Sequence, residues 1–218
     1  MNTTVELFSG TASFSRVALE LGYDINTYDL ADSADELVAG THTKCDILDG
    51  SIDYPIKPFI LWASPPCEGF SVAAIGKNWD KETKEPKTDS ARRGLSILWR
   101  TIELVYLVKP QWWFIENPRG MMRKKIEPLL NKLGLESKRH TVTYCQYGDE
   151  RMKPTDIWTN ATWWQPKPPC KNGATCHVAA PRGSRTGTQG IKGARNRSRI
   201  PLEIFQEMFS QLKRGIEI

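Results

Sequence analysis

The 218-residue sequence predicts an α/β domain with a doubly wound, mostly parallel sheet. Two observations carry this. Short apolar runs alternate with stretches of helical spacing, and the runs end in small, polar or acidic residues at the positions where open α/β sheets bind ligands. The length suits one such domain with a small appendage, and the 39% apolar share, with eight Trp, supplies a core.

Val5-Glu6-Leu7-Phe8 reads as the first strand. Ser9-Gly10-Thr11-Ala12-Ser13 is a tight turn of small residues. Phe14, Val17, Ala18 and Leu21 share one helical face, and Gly22 ends that helix. Ile25–Asp29 is a second strand closed by a carboxylate. Ala34–Gly40 suggests a short helix, and Cys45-Asp46-Ile47 marks the end of a third strand. Phe59–Trp62 is a fourth strand. Residues 68–92 are polar and long for a connection, which suits a mobile or functional loop. Leu95–Val108 is a helix stopped by Pro110, Trp112–Ile115 a fifth strand, and Ile126–Leu133 a helix stopped by Gly134. Thr141–Tyr144 and Ile157–Thr159 read as late strands joined through Gly148. Leu202–Leu212 is a closing amphipathic helix. The chain divides into a core over 1–160, a reduced basic segment over 161–196 and a returning helix over 197–218.

No apolar run approaches the ~20 residues of a membrane span. The first residues lack a basic and apolar leader, so a cytosolic protein is expected. The five cysteines are scattered and odd in number, which fits reduced thiols better than a disulfide framework. The charge is divided unevenly. Residues 1–60 carry ten acids against three bases, whereas 161–200 carry eight cations and no acid. Interleaved with Gly, Ser, Thr and Gln, those cations suit a phosphate-rich partner such as nucleic acid. Arg182, Arg185, Thr186, Thr188, Gln189, Lys192 and Arg195 form a candidate arm for phosphates or base edges. Trp163 and Trp164 suit core or hinge packing better than base stacking. Cys170, Cys176 and His177 are spaced C-x5-C-H, one ligand short of a structural zinc site, so no metal is expected.

Three successive strand ends offer groups for a nucleoside-bearing cofactor. The Ser9-Gly10-Thr11 turn allows close backbone approach, Asp29 suits ribose hydroxyls, and Asp46 suits an adenine amine. Cys67 follows two prolines at the end of the fourth strand. A helix start just after it would lower its thiol pKa and make it a nucleophile. Glu116 follows Trp-Trp-Phe-Ile, and partial burial there would raise its pKa so that it can carry a proton.

These residues resemble the cytosine-C5 DNA methyltransferase family. Glu6-Leu7-Phe8-Ser9-Gly10 is similar to its first cofactor motif. Pro65-Pro66-Cys67-Glu68-Gly69-Phe70-Ser71 is similar to its Pro-Cys motif, with Glu in place of the usual Gln. Glu116-Asn117-Pro118 is similar to Glu-Asn-Val. The resemblance spans roughly residues 5–160 and the last 20, in the family's order. It implies a Rossmann-like methyltransferase fold with S-adenosylmethionine held by Phe8, Ser9, Gly10, Thr11, Asp29, Leu30, Asp46, Ile47, Pro66 and Ser198. It also implies Cys67 as nucleophile, Glu116 as proton donor to N3 of cytosine and Asn117 as a loop anchor. Ser71, Lys77, Asn78 and Trp79 in the 68–92 loop become candidate contacts to double-stranded DNA holding a flipped base.

The sequence departs from the family at three places. After Tyr147-Gly148, Arg151, Lys153 and Thr155 stand where Gln-x-Arg-x-Arg is usual, leaving Arg151 and Lys153 as candidate base contacts. Ser198 stands near the usual Asn of Gly-Asn-Ser-Val. The recognition segment is far shorter than usual, as in compact phage-encoded members, which implies a short site, relaxed specificity or a partner protein for a chain otherwise expected to act as a monomer. RNA methylation and a non-catalytic DNA-binding role are the rival expectations. Restriction protection and nuclease evasion suit the sequence equally.

Overall fold

The computed structural model describes residues 2–171, 173–179 and 193–216. The expected arm residues Arg182, Arg185, Thr186, Thr188, Gln189 and Lys192 lie outside them. Seven strands form one sheet: β1 (Thr3–Leu7), β2 (Asp24–Asp29), β3 (His42–Lys44), β4 (Ile60–Ala63), β5 (Trp112–Pro118), β6 (Lys138–Thr143) and β7 (Pro154–Thr159). Their spatial order is β3-β2-β1-β4-β5-β7-β6. All neighbours are parallel except β7, which runs against both β5 and β6. The helices are α1 (Ser13–Glu20), α2 (Ile75–Asn78), α3 (Asp89–Val108), α4 (Met122–Lys132), α5 (Ala194–Ser198) and α6 (Leu202–Ile216).

Strand alternation explains why both faces are covered. Val5, Leu7, Leu61, Ala63, Trp113 and Ile115 face α3 and α4, packing on Leu98, Ile102, Val105 and Ile126. Ile60, Trp62 and Phe114 face the opposite way, onto Phe14 of α1 and Phe205 and Phe209 of α6. Trp62 and Phe205 meet edge-on at 4.7 Å, a favoured aromatic geometry.

Several expectations shift. The helix expected over 34–40 reduces to one turn at Ala39–Thr41. Ser33 and Asp35 explain this: Asp35 Oδ1 accepts from the Leu37 amide at 3.0 Å and Ser33 Oγ donates to the Asp35 carbonyl, so side chains compete with helical bonds. The third strand ends at Lys44, one residue before Cys45, although the Cys45 amide still donates to the Asp29 carbonyl at 2.7 Å. The fifth strand runs on to Pro118, so Glu116 and Asn117 pair with Ile157 and Asp156 of β7 rather than ending the strand. α3 starts at Asp89, six residues early, because Thr88 Oγ1 accepts from the Ala91 amide as an N-cap.

The expected 68–92 loop is a folded strap. Phe70 and Trp79 stack at 5.6 Å and are both buried. Trp79 Nε1 donates to the Gly69 carbonyl at 2.7 Å. Asn78 donates to the carbonyls of Glu68 and Gly69 and accepts from Thr88 Oγ1. Asn78 and Trp79 therefore point inward and hold the strap closed, which corrects their expected placement on a DNA-facing surface. Lys77 is exposed and Ser71 half-buried.

One buried ion pair locks α4 onto the antiparallel edge. Arg123 grips Asp156, a wholly buried carboxylate that also accepts from Thr141 Oγ1 at 2.7 Å. Arg123→Met leaves that carboxylate without its counter-charge. We expect destabilisation by about 3–5 kcal/mol in chemical denaturation, because an uncompensated buried charge is the costly outcome. A change below 1 kcal/mol would show that the pair is dispensable.

Candidate active site

The strand register assembles the site. Ala63 of β4 pairs with Ile115 of β5, so Glu116 and Asn117 extend past the end of β4 and lie beside the Ser64–Cys67 loop. Asn117 Nδ2 donates to the Pro65 carbonyl at 2.8 Å and ties that loop to β5. A second tie closes the strap, as the Met121 amide donates to the Phe70 carbonyl at 2.9 Å. The ends of these strands open into two adjoining cavities of about 390 and 380 Å³, within the usual range for small-molecule sites. Phe8, Gly10, Ser64, Pro66, Glu68 and Ser198 line both.

The first cavity holds Phe8, Gly10, Asp29, Leu30, Asp46, Ile47, Pro66 and Ser198 from the expected cofactor set. Ser9 and Thr11 line the second cavity with Phe8 and Gly10. Asp29 Oδ2 accepts from the Gly10 amide at 2.9 Å, which fixes the first turn against β2. Gly10 has φ 49°, a left-handed conformation that glycine adopts at little cost. Asp46 accepts from Arg93 at 2.7 Å and from the Leu48 amide, and the Arg93 hydrogen bond holds its carboxyl below the usual range. The cavity thus combines apolar walls with two carboxylates, acceptors suited to the ribose hydroxyls and exocyclic amine of a nucleoside. Leu30 is 63% exposed at this opening, as a wall residue of a ligand slot would be.

The second cavity brings together Cys67, Glu116 and Lys153. Burial pushes the Glu116 carboxyl up, opposed by Lys153 and by hydroxyl donors from Tyr144, at 3.1 Å, and Ser64. Ser64 also accepts from Trp62 Nε1 at 2.8 Å, linking the site to the core. Cys67 departs from expectation. Its thiol is pushed up, not down, because burial dominates and the Lys153 cation offsets only part of it. No helix begins at Cys67. Its carbonyl instead accepts from the amides of Phe70 and Ser71 in a turn. Burial likewise lowers the Lys153 ammonium, while Glu116 and Cys67 raise it. Lys153 Nζ also donates to the Arg197 carbonyl at 3.0 Å and lies 4.7 Å over the Tyr144 ring.

Arg151 does not line either cavity, which corrects its expected role as a base contact. It is 4% exposed and paired with Asp149, and it donates to the carbonyls of Asn196, Arg197 and Arg199. All its donors point inward, so it positions the 196–199 segment. Arg195 lies within α5, in that same stretch of chain.

Sequence reasoning missed Tyr28, Ser90, Arg93 and Gly94 in the first cavity and Glu6 in the second. Glu6 was detectable as the one charge inside an apolar strand. Its carboxylate accepts from the Ser15 amide at 3.0 Å and caps α1, whose own N-cap Ala12 supplies no side-chain bond. Burial raises its pKa to about 7 from an ordinary 4.5. Because the folded pKa is raised, its contribution to stability is full below about 4.5 and is lost as pH rises through about 7. Glu6→Gln is therefore expected to gain stability relative to wild type between pH 5 and pH 8, by up to about 3 kcal/mol. Thermal melts of both proteins at the two pH values check this, and a difference that stays flat would contradict it.

The sequence count of metal ligands was one short: the fold brings Cys145 up to Cys170, Cys176 and His177.

An open, mostly parallel sheet with a reversed seventh strand, a turn of small residues after β1 and carboxylates at the ends of β2 and β3 defines a Rossmann-like doubly wound fold. The structural neighbours are methyltransferases of that fold. A DNA modification methyltransferase, so described, encoded within a prophage of E. coli matches with TM-score 0.50 and 20% identity over 73% of this chain and 46% of its own. A methyltransferase of Entamoeba histolytica matches with TM-score 0.51 and 17% identity over 78% of this chain and 57% of its own. The chain thus spans about half the length of those two proteins. The "Probable DNA (cytosine-5)-methyltransferase" of Frog virus 3 (isolate Goorha) is 30% identical over 94% of this chain and 97% of its own. Residues 4–138 match the model of the C-5 cytosine-specific DNA methylase family, and the chain belongs to that family. Among the described residues, no helix is long and apolar enough to cross a membrane.

Proposed function

We propose that the protein transfers a methyl group from S-adenosylmethionine to C5 of a flipped cytosine in double-stranded DNA, through a covalent Cys67 adduct. The observation that carries this is the single cavity lined by Cys67, Glu116 and Lys153, sharing a wall with the cavity that holds Asp29 and Asp46. Asp29 would take ribose hydroxyls and Asp46 an adenine amine, with Phe8, Leu30, Ile47 and Pro66 as the apolar walls. When bound, S-adenosylmethionine supplies an electrophilic methyl carbon.

The residues of the chain act on the base. Cytosine C5 is a weak nucleophile until C6 is attacked. The Cys67 thiolate, its proton given up to solvent, bonds to C6 as the C5–C6 double bond opens. Neutral Glu116 donates a proton to N3, which absorbs the displaced electron density and leaves C5 nucleophilic. After methylation, C5 gives its proton to solvent water, the C5–C6 double bond re-forms as the C6–S bond breaks to release the Cys67 thiolate, and N3 returns its proton to Glu116. Lys153 holds the thiolate in a buried setting and balances the negative charge at Glu116 and Cys67. Asn117 fixes the Cys67 loop. Ser71 and Lys77 face the DNA, and the basic stretch over 161–196 supplies phosphate contacts and target recognition. Because the pocket lies at the strand ends and not on a flat face, the base must leave the stack to enter it.

Bisulfite sequencing of unmethylated duplex DNA, after incubation with the protein and S-adenosylmethionine, tests the proposal. Unconverted cytosines in one short context, absent with Cys67→Ala, are expected. Complete conversion in both samples would overturn it. Lys153 gives a second test with a defined sign. Its cation lowers the pKa of both Cys67 and Glu116. Lys153→Met removes that effect, so the whole pH–rate profile should move to higher pH. A profile displaced to lower pH, or not displaced, would contradict the assignment.

A further inference from the structure

We propose that Cys145, Cys170, Cys176 and His177 form a structural zinc site. The four ligand atoms lie within 4.8 Å of one another. Cys145 Sγ stands 3.2 Å from Cys170 Sγ and 3.6 Å from Cys176 Sγ. His177 Nδ1 stands 3.6 Å from Cys170 Sγ and 3.7 Å from Cys176 Sγ. A tetrahedral zinc ion, with Zn–S of about 2.3 Å and Zn–N of about 2.0–2.1 Å, places its ligand atoms about 3.5–3.8 Å apart. Three of the four separations fall in or near that range, and the fourth is somewhat shorter. None approaches the ~2.05 Å of a disulfide, and a disulfide would use only two of the four groups. Three thiolates and one imidazole select zinc over calcium or magnesium, which want oxygen, and over iron–sulfur clusters, which usually take four cysteines.

The surroundings support the assignment. Gln146 Nε2 donates to Cys176 Sγ at 3.4 Å, the kind of outer hydrogen bond that steadies a metal-bound thiolate. The Cys170 amide donates to Thr143 Oγ1 at 2.9 Å, and the Val178 amide to the Glu150 carbonyl at 3.0 Å. The ligands come from two parts of the chain: Cys145 from the turn after β6, and the other three from the irregular segment that precedes the basic arm. With few apolar residues of its own, that segment cannot bury a core, and a metal crosslink replaces one. On binding, each of the three thiols releases its proton to solvent, so the folding energy of the segment becomes metal-dependent. The crosslink also reaches the active site, because Tyr144, beside Cys145, donates to Glu116.

The inference does not depend on the methyl-transfer proposal, and its readout is metal rather than activity. Elemental analysis of the full-length protein purified without chelator is expected to find about one zinc per chain. Cys176→Ala, an exposed position outside the sheet and its helices, is expected to hold less than about a tenth of that, whereas His177→Cys retains it. Wild-type protein stripped of metal and given Co2+ is expected to show the strong visible bands of tetrahedral cobalt with thiolate charge transfer. Wild-type protein that holds no zinc and gives no such spectrum would overturn the proposal. So would a Cys176→Ala variant that binds zinc as wild type does.

Discussion

Duplex DNA carrying 5-fluorocytosine in place of cytosine is expected to become covalently attached to the wild-type protein in the presence of S-adenosylmethionine. The proposed reaction ends when C5 loses its proton and the C6–S bond breaks. With fluorine at C5 there is no proton to lose, so elimination cannot proceed and the Cys67 adduct accumulates. A denaturing gel should show one shifted protein–DNA band, and Cys67→Ala should show none. The loss should be complete, because no other described thiol lines the second cavity. A shifted band with Cys67→Ala would move the nucleophile elsewhere. No band with wild-type protein that methylates ordinary DNA would rule out the covalent route.

Glu116→Gln is expected to slow methyl transfer by about 10²- to 10⁴-fold, the usual worth of a positioned proton donor. Glutamine keeps the shape and can still accept the Tyr144 hydroxyl bond, but it cannot deliver a proton to N3. Burial is what equips Glu116 for the role, since its raised pKa keeps part of the population neutral where an exposed carboxyl would be ionised. The measurement is single-turnover methylation with saturating cofactor, which separates chemistry from binding. DNA affinity should change little. A rate within about threefold of wild type would remove Glu116 from proton transfer.

Much of the site was legible because strand ends in parallel sheets are chemically marked. Cys67 and Glu116 each follow an apolar run, Asp29 closes β2, and each of the three reaches a cavity. Other features failed for identifiable reasons. Asn78 and Trp79 sit in a polar stretch that reads as a surface loop, yet the Gly69 carbonyl accepts from both and draws them inside. The Cys67 pKa went the wrong way because burial cannot be judged from a motif. Arg151 reads as a DNA contact by position, whereas Asp149, two residues earlier, had already claimed it. Cys145 could not join Cys170, Cys176 and His177 on paper, since only the return of the chain after β7, which seats the Cys170 amide on Thr143 of β6, makes residues 25 apart in sequence neighbours in space.

The bonds of Arg151 to the 196–199 segment have a consequence for how this protein can change. The guanidinium reads main-chain carbonyls, which every amino acid carries. Nothing in its bonding depends on which side chains occupy positions 196, 197 and 199. Lys153 grips the same stretch in the same way. The backbone path along this rim is therefore held by bonds that do not read its side chains, and Lys153 is tied to that same path. The main-chain path beside the second cavity is thus fixed separately from the side chains that it carries.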